Sequence, residues 1–62
     1  MDKQKAIRKY ANTRKNSDKR WYAMTYGMAL LHGHTPPNRP QGLSYMGGQA
    51  VEMEIRDILR EG

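Results

Sequence analysis

The segment from His34 to Gly42 constrains the fold of this chain more than any other. It holds all three prolines of the sequence and a glycine within nine residues. Because proline fixes φ and lacks a backbone donor, such a segment forms neither a helix nor a central strand. We expect a semi-rigid, extended loop over residues 34–43, which can carry the chain back along the preceding element.

Residues 18–33 predict a central helix before this loop. Two neighbouring apolar stripes recur there at three- and four-residue steps: Trp21, Met24, Met28 and Leu31 in the first, and Tyr22, Tyr26, Ala29 and Leu30 in the second. A helix apolar over this much of its circumference is mostly buried, so we expect Trp21 in the core. Gly27 costs about 1 kcal/mol relative to Ala in mid-helix, which indicates the close approach of another helix. Gly33 is placed to end the helix.

An amphipathic C-terminal helix is predicted after the loop. Ser44 is a good N-cap, and the pair Gly47-Gly48 either frays the first turn or moves the helix start to a later residue. Glu52 and Arg56 have the i,i+4 spacing and order of a stabilising ion pair. The apolar face of this helix consists of Val51, Ile55, Ile58 and Leu59.

The N-terminal segment predicts a weaker, basic helix. Asp2 can act as its N-cap, and its narrow apolar stripe consists of Ala6, Ile7, Tyr10 and Ala11. A helix shorter than about 12 residues is marginal on its own. The polar residues from Asn12 to Ser17 favour a break, after which Ser17 or Asp18 begins the central helix.

These elements together predict one small all-α domain of three helices. Its parts are a basic N-terminal arm or helix at 1–17, the central helix at 18–33, the Pro-rich loop at 34–43 and the C-terminal helix at 44–62. A chain of this length buries only about 60% of the surface that its unfolded form exposes. Its margin of stability is therefore thin.

The composition narrows the setting in which the protein works. The chain has no cysteine, which excludes disulfides, thiolate catalysis and Cys-based metal sites. No apolar run approaches the roughly 20 residues that span a bilayer. No apolar stretch follows the basic N-terminus as it would in a signal peptide. We therefore expect a cytoplasmic protein that does not act at a membrane.

Positive charge is concentrated at the N-terminus. Eight of the eleven Lys and Arg residues lie in the first twenty positions beside two acids, which gives +6 there; residues 21–43 add +1 and residues 44–62 carry −2, so the chain is +5. This segregation is typical of a protein that binds a polyanion or an acidic partner. The candidate binding cations are Lys3, Lys5, Arg8, Lys9, Arg14, Lys15, Lys19 and Arg20.

Nucleic acid, either DNA or RNA, is the partner that this pattern favours. Cations bind it chiefly through its backbone phosphates, without reading its sequence. Aromatic side chains beside them can stack on bases, and the candidates are Tyr10, Trp21 and Tyr22. A competing arrangement is that the cations fold back onto an acidic row of the last helix and so offer less charge to a partner. That row is Glu54, Asp57 and Glu61.

Catalysis is not indicated by the sequence. Gly47-Gly48 lacks the spacing and the lysine of a phosphate-binding loop. In a helix, His32 and His34 would point their rings apart, and no third metal ligand lies near them. We expect no enzyme activity, no metal and no cofactor. A helix-turn-helix is also disfavoured, because the Pro-rich connection is too long and the helix after it is acidic.

A protein partner is the alternative to nucleic acid. The chain has five Met and four Tyr residues but no Phe, and side chains of these kinds form adaptable contact surfaces. The alternative hypothesis is therefore a small regulator or inhibitor, of the phage or stress type, that docks on an acidic surface of a larger protein. A homodimer, in which a second copy completes the thin core, is also compatible with this composition.

Overall fold

The computed structural model describes residues 2–61 and contains three helices. They are α1 (Lys3–Asn12), α2 (Ser17–Leu31) and α3 (Tyr45–Glu61). No strand occurs between residues 2 and 61, so the prediction of a small all-α, three-helix domain is confirmed. The outer ends of the predicted first and last segments, residues 1 and 62, lie outside the described residues. No helix in the described part of the chain is long and apolar enough to cross a bilayer.

Side-chain caps set the starts of the first two helices. The Asp2 carboxylate accepts a hydrogen bond from the backbone N–H of Gln4 at 3.0 Å, as an N-cap does. Asn16 caps α2 in the same way, accepting from the N–H of Lys19 at 3.0 Å. The predicted break between α1 and α2 is confirmed, and α2 begins at Ser17.

Gly33 ends the central helix as predicted. Its φ is +76°, a left-handed conformation that glycine adopts without steric cost. The N–H of His34 donates to the carbonyl of Ala29 at 2.8 Å, and the N–H of Gly33 donates to that of Leu30 at 3.3 Å. This pair of bonds is the Schellman arrangement, which satisfies the last carbonyls of a helix and turns the chain out of it.

The Pro-rich loop returns the chain to the start of α2. Gly42, near the end of the loop, lies against the carboxylate of Asp18 in the first turn of α2. From there α3 runs in the same direction as α2, because Gly47 lies beside Lys19 and Gly27 lies beside Ile55. Ser44 caps α3, since its hydroxyl accepts from the N–H of Gly47 at 3.0 Å.

The three helices meet at Gly27. A Cβ at this position would lie 2.6 Å from Cγ2 of Ile7 on α1 and 3.3 Å from Cδ1 of Ile55 on α3. The predicted close approach at Gly27 is thus confirmed, and both neighbouring helices make it. The buried core around this point consists of Ile7, Ala11, Tyr22, Ala23, Tyr26, Val51 and Ile55.

The choice of buried face on α2 differs from the prediction. Trp21 is 51% exposed, whereas Tyr22 and Tyr26 are buried. The assignment of Trp21 to the core is therefore wrong. Both α1 and α3 pack on the side of α2 that carries Ala23 and Gly27. The other members of the Trp21 stripe are half-buried against the core, so exposure of this stripe is confined to its first residue.

The expectation that Gly47-Gly48 weakens the start of α3 is also wrong. Both glycines are buried within the helix, which begins at Tyr45. A Cβ at Gly48 would lie 2.7 Å from Cδ of Arg39, and one at Gly47 would lie 3.2 Å from Cε of Lys19. The glycines therefore make room for two long side chains that cross the first turns of α3.

We expect Gly27→Ala to lower the free energy of unfolding by about 1–2 kcal/mol, as measured by urea denaturation followed by circular dichroism. Overpacking costs about 1–3 kcal/mol, and a Cβ only 2.6 Å from Cγ2 of Ile7 belongs in the upper part of that range. The better helix propensity of Ala returns about 1 kcal/mol. In an Ile7→Ala background, where the clashing Cγ2 is absent, Gly27→Ala should cost less. A Gly27→Ala variant as stable as the parent would contradict the three-helix junction.

Candidate nucleic-acid interface

The eight N-terminal cations occupy one continuous part of the chain. Lys3, Lys5, Arg8 and Lys9 lie on α1, Arg14 and Lys15 lie between the helices, and Lys19 and Arg20 lie in the first turn of α2. We call these eight residues the cationic surface. Five of its members are exposed and three are half-buried.

Cations of this surface are not neutralised by ion pairs. Within residues 2–61 the ion pairs are Arg39–Glu52 and Arg60–Asp57. None of the eight cations takes part, and none is paired with the acidic row of α3. The competing arrangement, in which these cations fold back onto that row, forms no ion pair within residues 2–61, although Lys5 and Lys9 share a groove with Glu61. The cations outside that groove offer their charge to a partner.

A concavity marks the junction between α1 and α2. It has a volume of about 390 Å³ and is lined by Thr13, Arg14, Lys15, Asn16 and Lys19. The guanidinium of Arg14 lies over the Tyr10 ring, 4.6 Å from its centroid. Its Nη2 donates to the Thr13 hydroxyl at 3.2 Å. Three cations thus line one concavity, and no carboxylate lines it.

The three aromatic candidates for base stacking have different environments. Trp21 presents half of its surface to solvent, directly after Arg20. Tyr22 is only 2% exposed, and its hydroxyl donates to Oε2 of Glu52 at 2.6 Å. The prediction that Tyr22 stacks on bases is therefore wrong, because neither face of its ring is open.

Tyr10 is half-buried, and one face of its ring is already occupied by Arg14. Burial, followed by the nearby Glu54 carboxylate, raises the pKa of Tyr10, while Arg14 acts in the opposite direction. Trp21 is therefore the candidate whose ring remains most open to a base.

A clamp that the sequence analysis missed joins the loop to α3 and α2. Arg39 donates from Nε to Oε2 of Glu52 at 2.6 Å and from Nη2 to Oε1 at 2.8 Å. Tyr22 donates to the same carboxylate. The predicted pairing of Glu52 with Arg56 is wrong, because the bidentate guanidinium of Arg39 takes both oxygens.

The clamp shifts the protonation equilibria of its members. The hydrogen bonds from Arg39 lower the pKa of Glu52 to about 2, against the opposing effect of burial. Burial, followed by the hydrogen bond to Glu52, raises the pKa of Tyr22 to about 12. The hydrogen bonds to Glu52 also raise the pKa of Arg39. All three groups are thus held in their paired forms at neutral pH.

A larger groove of about 570 Å³ lies between α1 and the end of α3. Its lining residues are Asp2, Lys5, Ala6, Lys9, Tyr10, Thr13, Ile58 and Glu61. Two lysines and two carboxylates share it, so its net charge is balanced. Among residues 2–61, no three His, Asp or Glu side chains come together as metal ligands, and both His32 and His34 are exposed.

The chain matches no known protein family, and neither curated proteins nor solved structures show a significant similarity to it.

We expect the stability of the protein to fall at both extremes of pH because of the clamp. Glu52 has a lowered pKa, so its contribution is present above about pH 4.5 and is lost as the pH falls toward 2. Tyr22 has a raised pKa, so its contribution is present below about pH 10 and is lost as the pH rises toward 12. Urea denaturation across this pH range measures the loss of stability at low pH and at high pH.

The variant Glu52→Gln tests the loss of stability at low pH. It should lower the free energy of unfolding at neutral pH by about 1 kcal/mol, because the pair is only partly shielded from water. It should also make the loss of stability between pH 4.5 and 2 smaller than in the parent protein. The matched control is Asp57→Asn, which breaks the exposed pair with Arg60 and should change stability by less than about 0.5 kcal/mol. If the loss of stability between pH 4.5 and 2 were the same in Glu52→Gln as in the parent, the clamp would be contradicted.

Proposed function

We propose that this protein binds nucleic acid through the cationic surface, as a small regulatory module of the cytoplasm. The observation that carries the proposal is that eight cations share this surface and none is engaged in an ion pair within residues 2–61. Phosphates would displace only water and counterions from such side chains, and counterion release drives binding that does not depend on sequence.

The arrangement of the helices distributes charge unevenly between the two ends of the molecule. Because α2 and α3 run the same way, the junction cations lie near the start of α3, whereas Asp57 and Glu61 lie near its end. A polyanion is attracted to the first end, whereas at the second end cations and carboxylates balance each other. The nucleic acid should therefore approach the end of the molecule that carries the α1–α2 junction.

Trp21 supports single-stranded nucleic acid as the preferred form. Its half-exposed ring lies in α2 next to the cationic first turn. Stacking of a base on an aromatic ring contributes about 1–3 kcal/mol, and it requires a base that is not already stacked within a duplex. Single-stranded RNA or DNA satisfies that requirement, whereas duplex DNA does not.

We expect binding to labelled single-stranded RNA that weakens steeply with salt, as measured by fluorescence anisotropy. Three or more phosphate contacts would give a log–log slope of about −2 or steeper for a single strand. The emission of Trp21, the only tryptophan, should change on binding. Duplex DNA of equal charge should bind with a smaller change in that emission.

Two results would contradict the proposal. The first is the absence of binding at low salt, and the second is an affinity that does not depend on salt. As a control for the stacking step, Tyr45→Ala removes an exposed aromatic ring outside the cationic surface. It should leave the affinity for RNA unchanged, whereas Trp21→Ala should lower it.

A protein partner is the second candidate function, and exposed apolar side chains favour it. Trp21, Tyr45, Met46 and Met53 are all more than half exposed. Met46 and Met53 are seven residues apart on α3 and so lie on one face of the helix. Exposed apolar patches mark interaction sites, and methionine adapts its shape to a partner.

A pull-down from a nuclease-treated cell extract separates the two functions. If a protein partner docks on the exposed face of α3, it should be retained by the parent protein and lost in the variant Met46→Lys/Met53→Lys. The variant Lys3→Gln/Lys5→Gln, which alters only the cationic surface, should retain it. If every partner disappears with the nucleic acid, the second candidate fails.

A further inference from the structure

We propose that the concavity between α1 and α2 is a phosphate seat, in which Arg14, Lys15 and Lys19 hold one phosphodiester group of a bound nucleic acid. This inference rests on the proposed function and deepens it. It places the main contact at one site, whereas a diffuse interaction would be spread along the N-terminal helix.

The lining of the concavity is suited to an anion. Three cations line its volume of about 390 Å³, together with the neutral Thr13 and Asn16. The larger groove beside α1 differs, because Lys5 and Lys9 share it with Asp2 and Glu61. A phosphate entering the junction therefore meets three cations and, among residues 2–61, no lining carboxylate, because the carboxylate of the nearby Asp18 lies against Gly42. A phosphate entering the groove also meets two carboxylates.

Arg14 is held in place before any ligand arrives. Its guanidinium rests on the Tyr10 ring, and Nη2 is tied to the Thr13 hydroxyl. Its Nε is shielded from solvent and has no hydrogen-bond partner within the described residues. Glu54 lies near Tyr10 but forms no ion pair with Arg14. A guanidinium fixed in this way loses little side-chain entropy when it binds a phosphate.

The start of α2 supports the same site. The stem of Lys19 packs beside Gly47 of α3, which limits its freedom. Nη2 of Arg20 donates to the carbonyl of Lys15 at 3.5 Å, so it ties the junction to the helix. The concavity is lined by Asn16, the N-cap of α2, so it adjoins the positive end of that helix dipole.

Two triple variants test the seat against a control of equal charge. The seat variant is Arg14→Gln/Lys15→Gln/Lys19→Gln, and the control is Lys3→Gln/Lys5→Gln/Lys9→Gln. Each removes three positive charges from the same surface. Binding of a single-stranded oligothymidylate is measured by anisotropy, and backbone amide shifts are followed by NMR during titration with inorganic phosphate. Circular dichroism checks that each variant is folded.

If the seat exists, the seat variant and the control should differ in their loss of affinity. The seat variant should lose roughly tenfold more affinity for the oligothymidylate than the control, because it removes charge-assisted bonds to one phosphate and the control removes scattered contacts. Inorganic phosphate should shift the amides of residues 13–20 saturably in the parent and in the control. It should not shift them in the seat variant.

Each other result is decisive. If both variants lose affinity equally and the phosphate shifts spread along α1, the seat is overturned while nucleic-acid binding stands. If the parent does not bind the oligothymidylate but phosphate still saturates residues 13–20, nucleic-acid binding is overturned and the seat takes free phosphate only. If neither ligand binds, both proposals fall.

Should the seat variant fail to fold, single substitutions repeat the comparison. Lys15→Gln and Lys5→Gln both change exposed residues. The first should weaken binding of the oligothymidylate more than the second, and only the first should reduce the phosphate shifts at the junction. Equal effects of the two substitutions would overturn the seat.

Discussion

The close contact of three helices at Gly27 is the constraint on which the rest of the structure depends. A hydrogen in place of a side chain lets Ile7 and Ile55 reach the same point on α2 from two neighbouring helices. In a chain of this size that point is the centre of the whole core. Both neighbours pack on the side of α2 that carries Gly27, and Trp21, on another side of the helix near its start, stays half exposed.

Features that depend on neighbouring residues could be predicted from the sequence. Asp2 and Ser44 cap their helices, and Gly33 terminates α2, through bonds that span two to five residues. The buried side of α2 could not be predicted in this way, because both of its stripes are apolar. The position of α1 and α3 decides between the stripes, and that position is a property of the whole fold.

In the candidate site too, some features depend on neighbouring residues and others depend on the whole fold. The cations themselves are visible in the sequence, but their lack of ion pairs within residues 2–61 is not, because it depends on where the acids of α3 are placed. The link between Arg39 and Glu52 crosses the Pro-rich loop, thirteen positions apart. One signal pointed to it: Arg39 is the sole charged residue between positions 21 and 43. Because residues 21–43 contain no acid, any carboxylate that pairs with Arg39 must come from another part of the chain.

The composition of the junction at Gly27 also bears on how the domain folds. Its three residues come from the first, second and last helices, so a fragment that lacks Ile55 cannot complete the core. Until α3 is in place, the sides of α1 and α2 that face it stay uncovered. Folding of the three helices should therefore be a single cooperative event with few stable intermediates.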